Sequence, residues 1–121
     1  MDVLKLTDII RETSFAIHNY LRNGYLEKVY ENALAHRLRK LGLKVEQQYV
    51  LKVYDEDGTV IGEYCADLFI EGCIMAELKA CKELAPEHIA QLFNYLKTSR
   101  VKHGVLINFG APKFQIKKFA L

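Results

Sequence analysis

The chain has 121 residues, half of them apolar and 26% charged, with a formal charge of +2. That length suits one domain, residues 1–121, able to bury a core without disulfides or a structural metal, and a charge so near balance neither requires nor excludes a nucleic-acid partner. No apolar stretch approaches the ~20 residues needed to cross a bilayer and no basic-then-apolar leader opens the chain, so a cytoplasmic protein without a membrane partner is expected.

The first segment, Leu4 to Leu21, repeats Leu6, Ile9, Ile10, Thr13, Ile17, Tyr20 and Leu21 at helical spacing. Asn23-Gly24 ends it. A second helical stripe carries Leu26, Val29, Tyr30, Ala33, Leu34, Leu38 and Leu41, closed by Gly42. From Val45 the period becomes two. Val45 to Tyr54 and Val60 to Ile70 read as strands about the turn Asp55-Glu56-Asp57-Gly58, and Ile74 to Ala80 follows Gly72 as a third strand. Pro86 opens a helix with Ile89, Leu92, Phe93 and Leu96 as its core face. Lys102 to Phe109 is a short apolar strand, broken at Asn108 to Pro112, and Phe114 to Phe119 offers a last one. Helix, helix, three strands, helix and one or two strands imply an α+β fold, a mixed sheet with helices packed on it. Cys65, Cys73 and Cys81 are odd in number and eight residues apart, which suits neither a disulfide framework nor a zinc site. Three buried, reduced thiols are expected.

Chemistry concentrates around Asp67 and Glu77-Leu78-Lys79. Alternation along a strand sends Glu77 and Lys79 to one side and Leu78 to the other. Asp67 joins them only if it pairs with Glu77, which requires the three-residue loop Glu71-Gly72-Cys73. Two carboxylates facing each other repel unless a cation or shared proton relieves them, and hard oxygen ligands favour Mg2+ or Mn2+. A half-exposed charge ladder explains the same three residues. Glu27 lies at the edge of its helix's apolar stripe, as a third acidic ligand or a salt-bridge partner. His88, Gln91 and Tyr95 share one flank of the third helix outside its core face, and a merely polar helix face would look the same. Lys82, Lys97, Arg100, Lys102, Lys113, Lys117 and Lys118 gather positive charge in the C-terminal half, as a phosphate track or as a solvated surface.

Gly24-Tyr25-Leu26-Glu27-Lys28-Val29-Tyr30 fits the motif that names the GxxExxY family, a branch of the PD-(D/E)XK nuclease superfamily. Ala66-Asp67-Leu68, Ala76-Glu77-Leu78-Lys79-Ala80, His88-x-x-Gln91-x-x-x-Tyr95-Leu96 and Leu106-Ile107-Asn108-Phe109-Gly110 resemble the rest of that pattern, from about Leu6 to the C-terminus. The resemblance implies a restriction-endonuclease-like αβββαβ core. It implies that Asp67 and Glu77 bind metal with the carbonyl of Leu78, that Lys79 is the catalytic lysine, and that Glu27 adds an acid from the first core helix. Gln91 and Tyr95 resemble a Gln-x-x-x-Tyr element beside the active site. Lys82, His88, Lys97 and Arg100 are then the candidates for nucleic-acid contact. The expected activity is Mg2+- or Mn2+-dependent phosphodiester hydrolysis in a prokaryotic cytoplasm, on DNA ahead of RNA. The alternative is a catalytically silent accessory protein of the same fold that binds nucleic acid. So short a chain leaves little sequence for a separate recognition domain, which favours a homodimer or a partner protein.

Overall fold

The computed structural model describes residues 1–121. Its elements are α1 (Val3–Leu21), α2 (Glu27–Lys40), β1 (Val45–Tyr54), β2 (Val60–Ile70), β3 (Ile74–Lys79), α3 (Pro86–Ser99), β4 (His103–Asn108) and β5 (Gln115–Ala120). Three helices and one five-stranded mixed sheet make the expected α+β fold. The run from α2 to β4 supplies its αβββαβ order.

The strands lie in the order β1-β2-β3-β4-β5, antiparallel except for the parallel pair β3–β4. Helix α3 is the crossover that a parallel pair requires. Ile70 pairs with Ile74, leaving the three-residue loop the hairpin needed, with Glu71 and Gly72 both at positive φ. Side chains on one sheet face meet α1 and α2: Leu68, Ile70, Ile74, Ala76, Leu78, Val105 and Ile107 pack with Leu6, Ile10, Ile17, Tyr30, Leu34 and Leu38. The other face meets α3 through Leu51, Ala66, Met75, Leu92, Tyr95, Leu96 and Leu106.

Burial corrects several sequence expectations. Tyr20 is exposed at the end of α1, whose buried residues are Leu6, Thr7, Ile10, Ser14, Ile17 and His18. Leu26 and Leu41 are exposed because the buried stripe of α2 is Tyr30, Glu31, Leu34, Ala35 and Leu38, rotated from the apolar one. Arg37 has its guanidinium 5.9 Å from the ring of exposed Tyr20. None of the three thiols is buried: Cys65 is exposed and the other two are intermediate, all of them free. Spacing alone puts Tyr95 outside the core face of α3, but it is buried, at 5% exposed.

One irregularity decides where the site can form. Pairing between β1 and β2 passes from Gln47–Leu68 to Tyr49–Ala66 without a paired step at Gln48–Asp67. Gln48 has φ +52°, a conformation that a residue with a Cβ adopts only at a cost. Across this step the faces exchange. Leu68 packs toward α1 and α2 whereas Ala66 packs toward α3, and Tyr49 follows Ala66. Asp67 sits at the crossing point.

Candidate active site

Extending the β2–β3 register by one step sets Asp67 opposite Glu77, but the ladder there is made by side chains. The Asp67 N–H donates to Oε1 of Glu77 at 2.8 Å, and the Leu78 N–H donates to Oδ2 of Asp67 at 2.8 Å. Each carboxylate thus occupies a position where a backbone carbonyl would close the sheet. The interlock holds the two acids side by side at the point where the strands part.

The electrostatics follow from this crowding. Glu77 is 4% exposed; burial first, then the Asp67 charge, pushes its carboxyl from an ordinary 4.5 up to about 8. Asp67 is also raised, by burial and by Glu31, against the lowering effect of the Leu78 N–H. Glu27 is raised by burial, opposed by Lys79 and by a hydrogen bond from the backbone of Ala80. Lys79 stands on the same strand face as Glu77, with Nζ 3.4 Å from Oε1 of Gln91.

Glu27 reaches this place because of the residues around it. Tyr30, fully buried, stacks on Phe109 with ring centroids 4.7 Å apart and 9° between planes. Its hydroxyl donates to the carbonyl of Arg22 and accepts the Tyr25 N–H. Gly24, at φ +122°, makes the turn between them. The G-x-x-E-x-x-Y spacing is therefore a clamp, with Gly24 turning the chain, Tyr30 pinning it, and Glu27 left as the first helical residue of α2. A carboxylate at a helix N-terminus is also favoured by the helix dipole.

Sequence reasoning missed a fourth acid. Glu31 is 3% exposed and accepts from Lys28 Nζ at 2.9 Å, Gln47 Nε2 at 2.7 Å and Gln48 Nε2 at 2.7 Å. Gln48 Nε2 also lies 3.4 Å from Oδ1 of Asp67. The signal was present, since Glu31 falls three, four and seven residues before Leu34, Ala35 and Leu38, within the buried stripe.

The other candidates fall in different places. Tyr95 lies close enough to both acids for their charges, after burial, to help push its hydroxyl up to about 12. Leu78 sends its side chain into the core beneath α1 and α2. His88 is engaged at the start of α3, where its Nδ1 accepts the Ala85 N–H at 3.1 Å. Lys82 is exposed in the loop after β3. Lys97 and Arg100 line a cleft of about 300 Å3 with Lys52, Val53, Tyr54 and Thr98. Behind the site, buried Asn108 holds the loop after Lys79: its Oδ1 accepts the N–H groups of Cys81 and Gly110, and its amide donates to the Cys81 carbonyl. Gly110 is obligatory there, because a Cβ would lie 2.2 Å from the Cys81 nitrogen.

Oδ2 of Asp67 and Oε1 of Glu77 accept from backbone donors, whereas Oδ1 of Asp67 has only the Gln48 amide at 3.4 Å and Oε2 of Glu77 has no protein donor, so these two are the oxygens open to a ligand. No three His, Cys, Asp or Glu side chains converge into a closed metal cage. Mg2+ does not need one, since it commonly keeps several waters and takes one or two carboxylates. The residues fit an open, hard-oxygen site of that kind.

A family model of the PD-(D/E)XK nuclease superfamily matches residues 4–119. The chain belongs to this superfamily. The superfamily chain is also similar to the crystal structure of SSO0001, with a TM-score of 0.58 at 15% identity, over 77% of its own length. It spans about half of that protein, 48%, and the likeness is one of fold. No curated protein matches it by sequence. Superfamily membership gives a nuclease-type domain, and no helix is long and apolar enough to cross a membrane.

Proposed function

We propose that the protein is a Mg2+- or Mn2+-dependent nuclease that hydrolyses phosphodiester bonds, with DNA ahead of RNA as substrate, and that residues 1–121 act as one domain. The observation that carries this is the interlock of Asp67 and Glu77 with Lys79 on the adjoining position of the same strand face. A pair of carboxylates with Glu77 buried and Asp67 half-buried is costly unless a cation or a shared proton relieves it. Within a nuclease superfamily such a pair is expected to serve phosphate chemistry. The fit of Gly24, Glu27 and Tyr30 to the G-x-x-E-x-x-Y spacing supports a place in the GxxExxY branch.

Asp67 and Glu77 would hold the cation, joined by Glu27 and the Leu78 carbonyl. When bound, a divalent cation supplies Lewis-acid stabilisation of phosphate charge and a more acidic water. The protein's own groups do the rest. Lys79, with its Nζ beside Gln91 and bound to no carboxylate in the hydrogen-bond network, is placed to orient the attacking water or to offset charge building on the phosphate. Gln91 fixes the Lys79 ammonium, and Glu31 acting through Gln48 holds Asp67 from the opposite side.

The test compares wild type with Asp67→Ala, Glu77→Ala and Lys79→Ala on labelled single- and double-stranded DNA and RNA in Mg2+. Lys79→Ala is expected to slow cleavage by about 10²–10³-fold, and either acid variant to slow it at least as much. Cleavage that survives all three substitutions would remove the site. Binding without any cleavage by wild type would replace the nuclease reading with that of a silent accessory protein.

A further inference from the structure

Gln91, Tyr95 and Thr98 stand at i, i+4 and i+7, along one flank of α3. Each meets a different feature. Gln91 contacts Lys79. The Tyr95 ring lies 5.5 Å from the ring of Tyr64, tilted by 43°. Thr98 lines the cleft that holds Lys97 and Arg100. At ~1.5 Å per residue, Gln91 to Thr98 spans roughly 10 Å.

Tyr64, which meets this row from β2, is the unusual ring. It is 46% exposed while its neighbour Tyr95 is 5% exposed, so one ring is buttressed by a buried one and keeps much of its surface open. It also lies three residues before Asp67, on the α3 side of the sheet, paired with Leu51. The cleft beyond it carries Lys52, Lys97 and Arg100. Lys52 faces Glu63 across the strand pair, so Lys97 and Arg100 supply most of the unopposed charge.

We infer that the chain binds nucleic acid as a single strand, laid along this flank of α3, with a base stacked on Tyr64 and a phosphate beyond it seated by Lys97 and Arg100. A duplex hides its base faces in its own stack, whereas an unpaired base offers a face to any aromatic ring. The inference rests on the nuclease reading and narrows it to a substrate form; binding is measured apart from cleavage so that the two can fail separately.

The experiment uses the full chain in EDTA and fluorescence anisotropy with 12-nucleotide oligo-dT, 12-nucleotide oligo-U and a 12-base-pair DNA duplex. Single strands are expected to bind at least tenfold more tightly than the duplex at equal salt, and the dT and U arms distinguish DNA from RNA as the source of the strand. Tyr64→Ala should weaken single-strand binding roughly tenfold or more, with Tyr64→Phe close to wild type. Tyr64→Leu, which keeps an apolar cover over Tyr95, guards against a folding artefact and should resemble Tyr64→Ala. Lys97→Ala with Arg100→Ala should flatten the salt dependence by about 0.7 in slope, the share of one phosphate on a single strand. Equal or tighter duplex binding overturns the proposal, as does a Tyr64→Leu variant that binds like wild type. Single-strand binding without cleavage in Mg2+ leaves the strand track standing and removes the nuclease, and cleavage with duplex preference does the reverse.

Discussion

The two faces of the sheet are built to different ends. The face beneath α1 and α2 buries seventeen apolar residues in one dry cluster, while the face beneath α3 buries seven and is bordered by Gln91, Tyr64 and the basic cleft. Strand β3 serves both faces. Leu78 is locked into the larger core between Glu77 and Lys79, whose side chains take the opposite side. The larger core therefore fixes the backbone on which the reactive groups ride, and the smaller one leaves them reachable. A site held within a fraction of an ångström needs such a rigid support.

The largest expected effect comes from attacking that support. Leu78→Ala removes a fully buried side chain from the larger core, and Leu92→Ala removes one from the smaller. Both should destabilise, within the ~2–5 kcal/mol of buried Leu→Ala changes. Leu78→Ala should fall toward the upper end, because a larger, rigid cluster collapses less readily around a cavity. Urea unfolding measures both, and a greater loss at Leu92 would make the smaller core the more rigid support.

A smaller effect separates the faces by pH. In the metal-free protein the folded Glu77 titrates near 8 against an ordinary 4.5. Between those values the folded state holds a proton that the unfolded state has released, so stability falls as pH rises from about 4.5 to about 8 and levels off above. Thermal melts in EDTA should show this decline, and Glu77→Gln should flatten it while still accepting the Asp67 N–H. A slope remains at Asp67, which is raised as well. Wild-type melts that do not change across this window would contradict the buried carboxylate. Added Mg2+ should restore stability most at the alkaline end, where fewer protons compete for the acids.

The order of elements was legible because each obeys one clear period and ends at a recognisable residue such as Gly24, Gly42 or Pro86. The pairing of Asp67 with Glu77 was legible only conditionally, through an odd loop at Gly72 that the register now supplies. What escaped were tertiary facts. Leu26 and Leu41 look like core on a helical wheel, but the sheet meets α2 on the side of Glu31 and Ala35. Nothing local announces that Gln48 turns against its strand, since any strand sequence with Gln47-Gln48 would read as continuous. The face exchange at Gln48 and Asp67 lets groups from α2 on one side and α3 on the other converge on the same two carboxylates.

Gln48 offers the finest test of that exchange. Its side chain links buried Glu31 to Asp67, while its backbone sits at φ +52°. Substitution by Ala removes the amide but keeps the strained conformation; substitution by Gly removes the amide and relieves the strain. In an ordinary strand Gly is the worse of the two by roughly 0.5–1 kcal/mol. At position 48 the order should invert, with Gln48→Gly more stable than Gln48→Ala by about 1 kcal/mol, the scale of a left-handed residue's penalty. Both should weaken Mn2+ binding measured by calorimetry, because Asp67 loses its link to Glu31 in either case. If Ala proves more stable than Gly, β1 runs straight through position 48, and the convergence of the two faces on Asp67 needs another explanation.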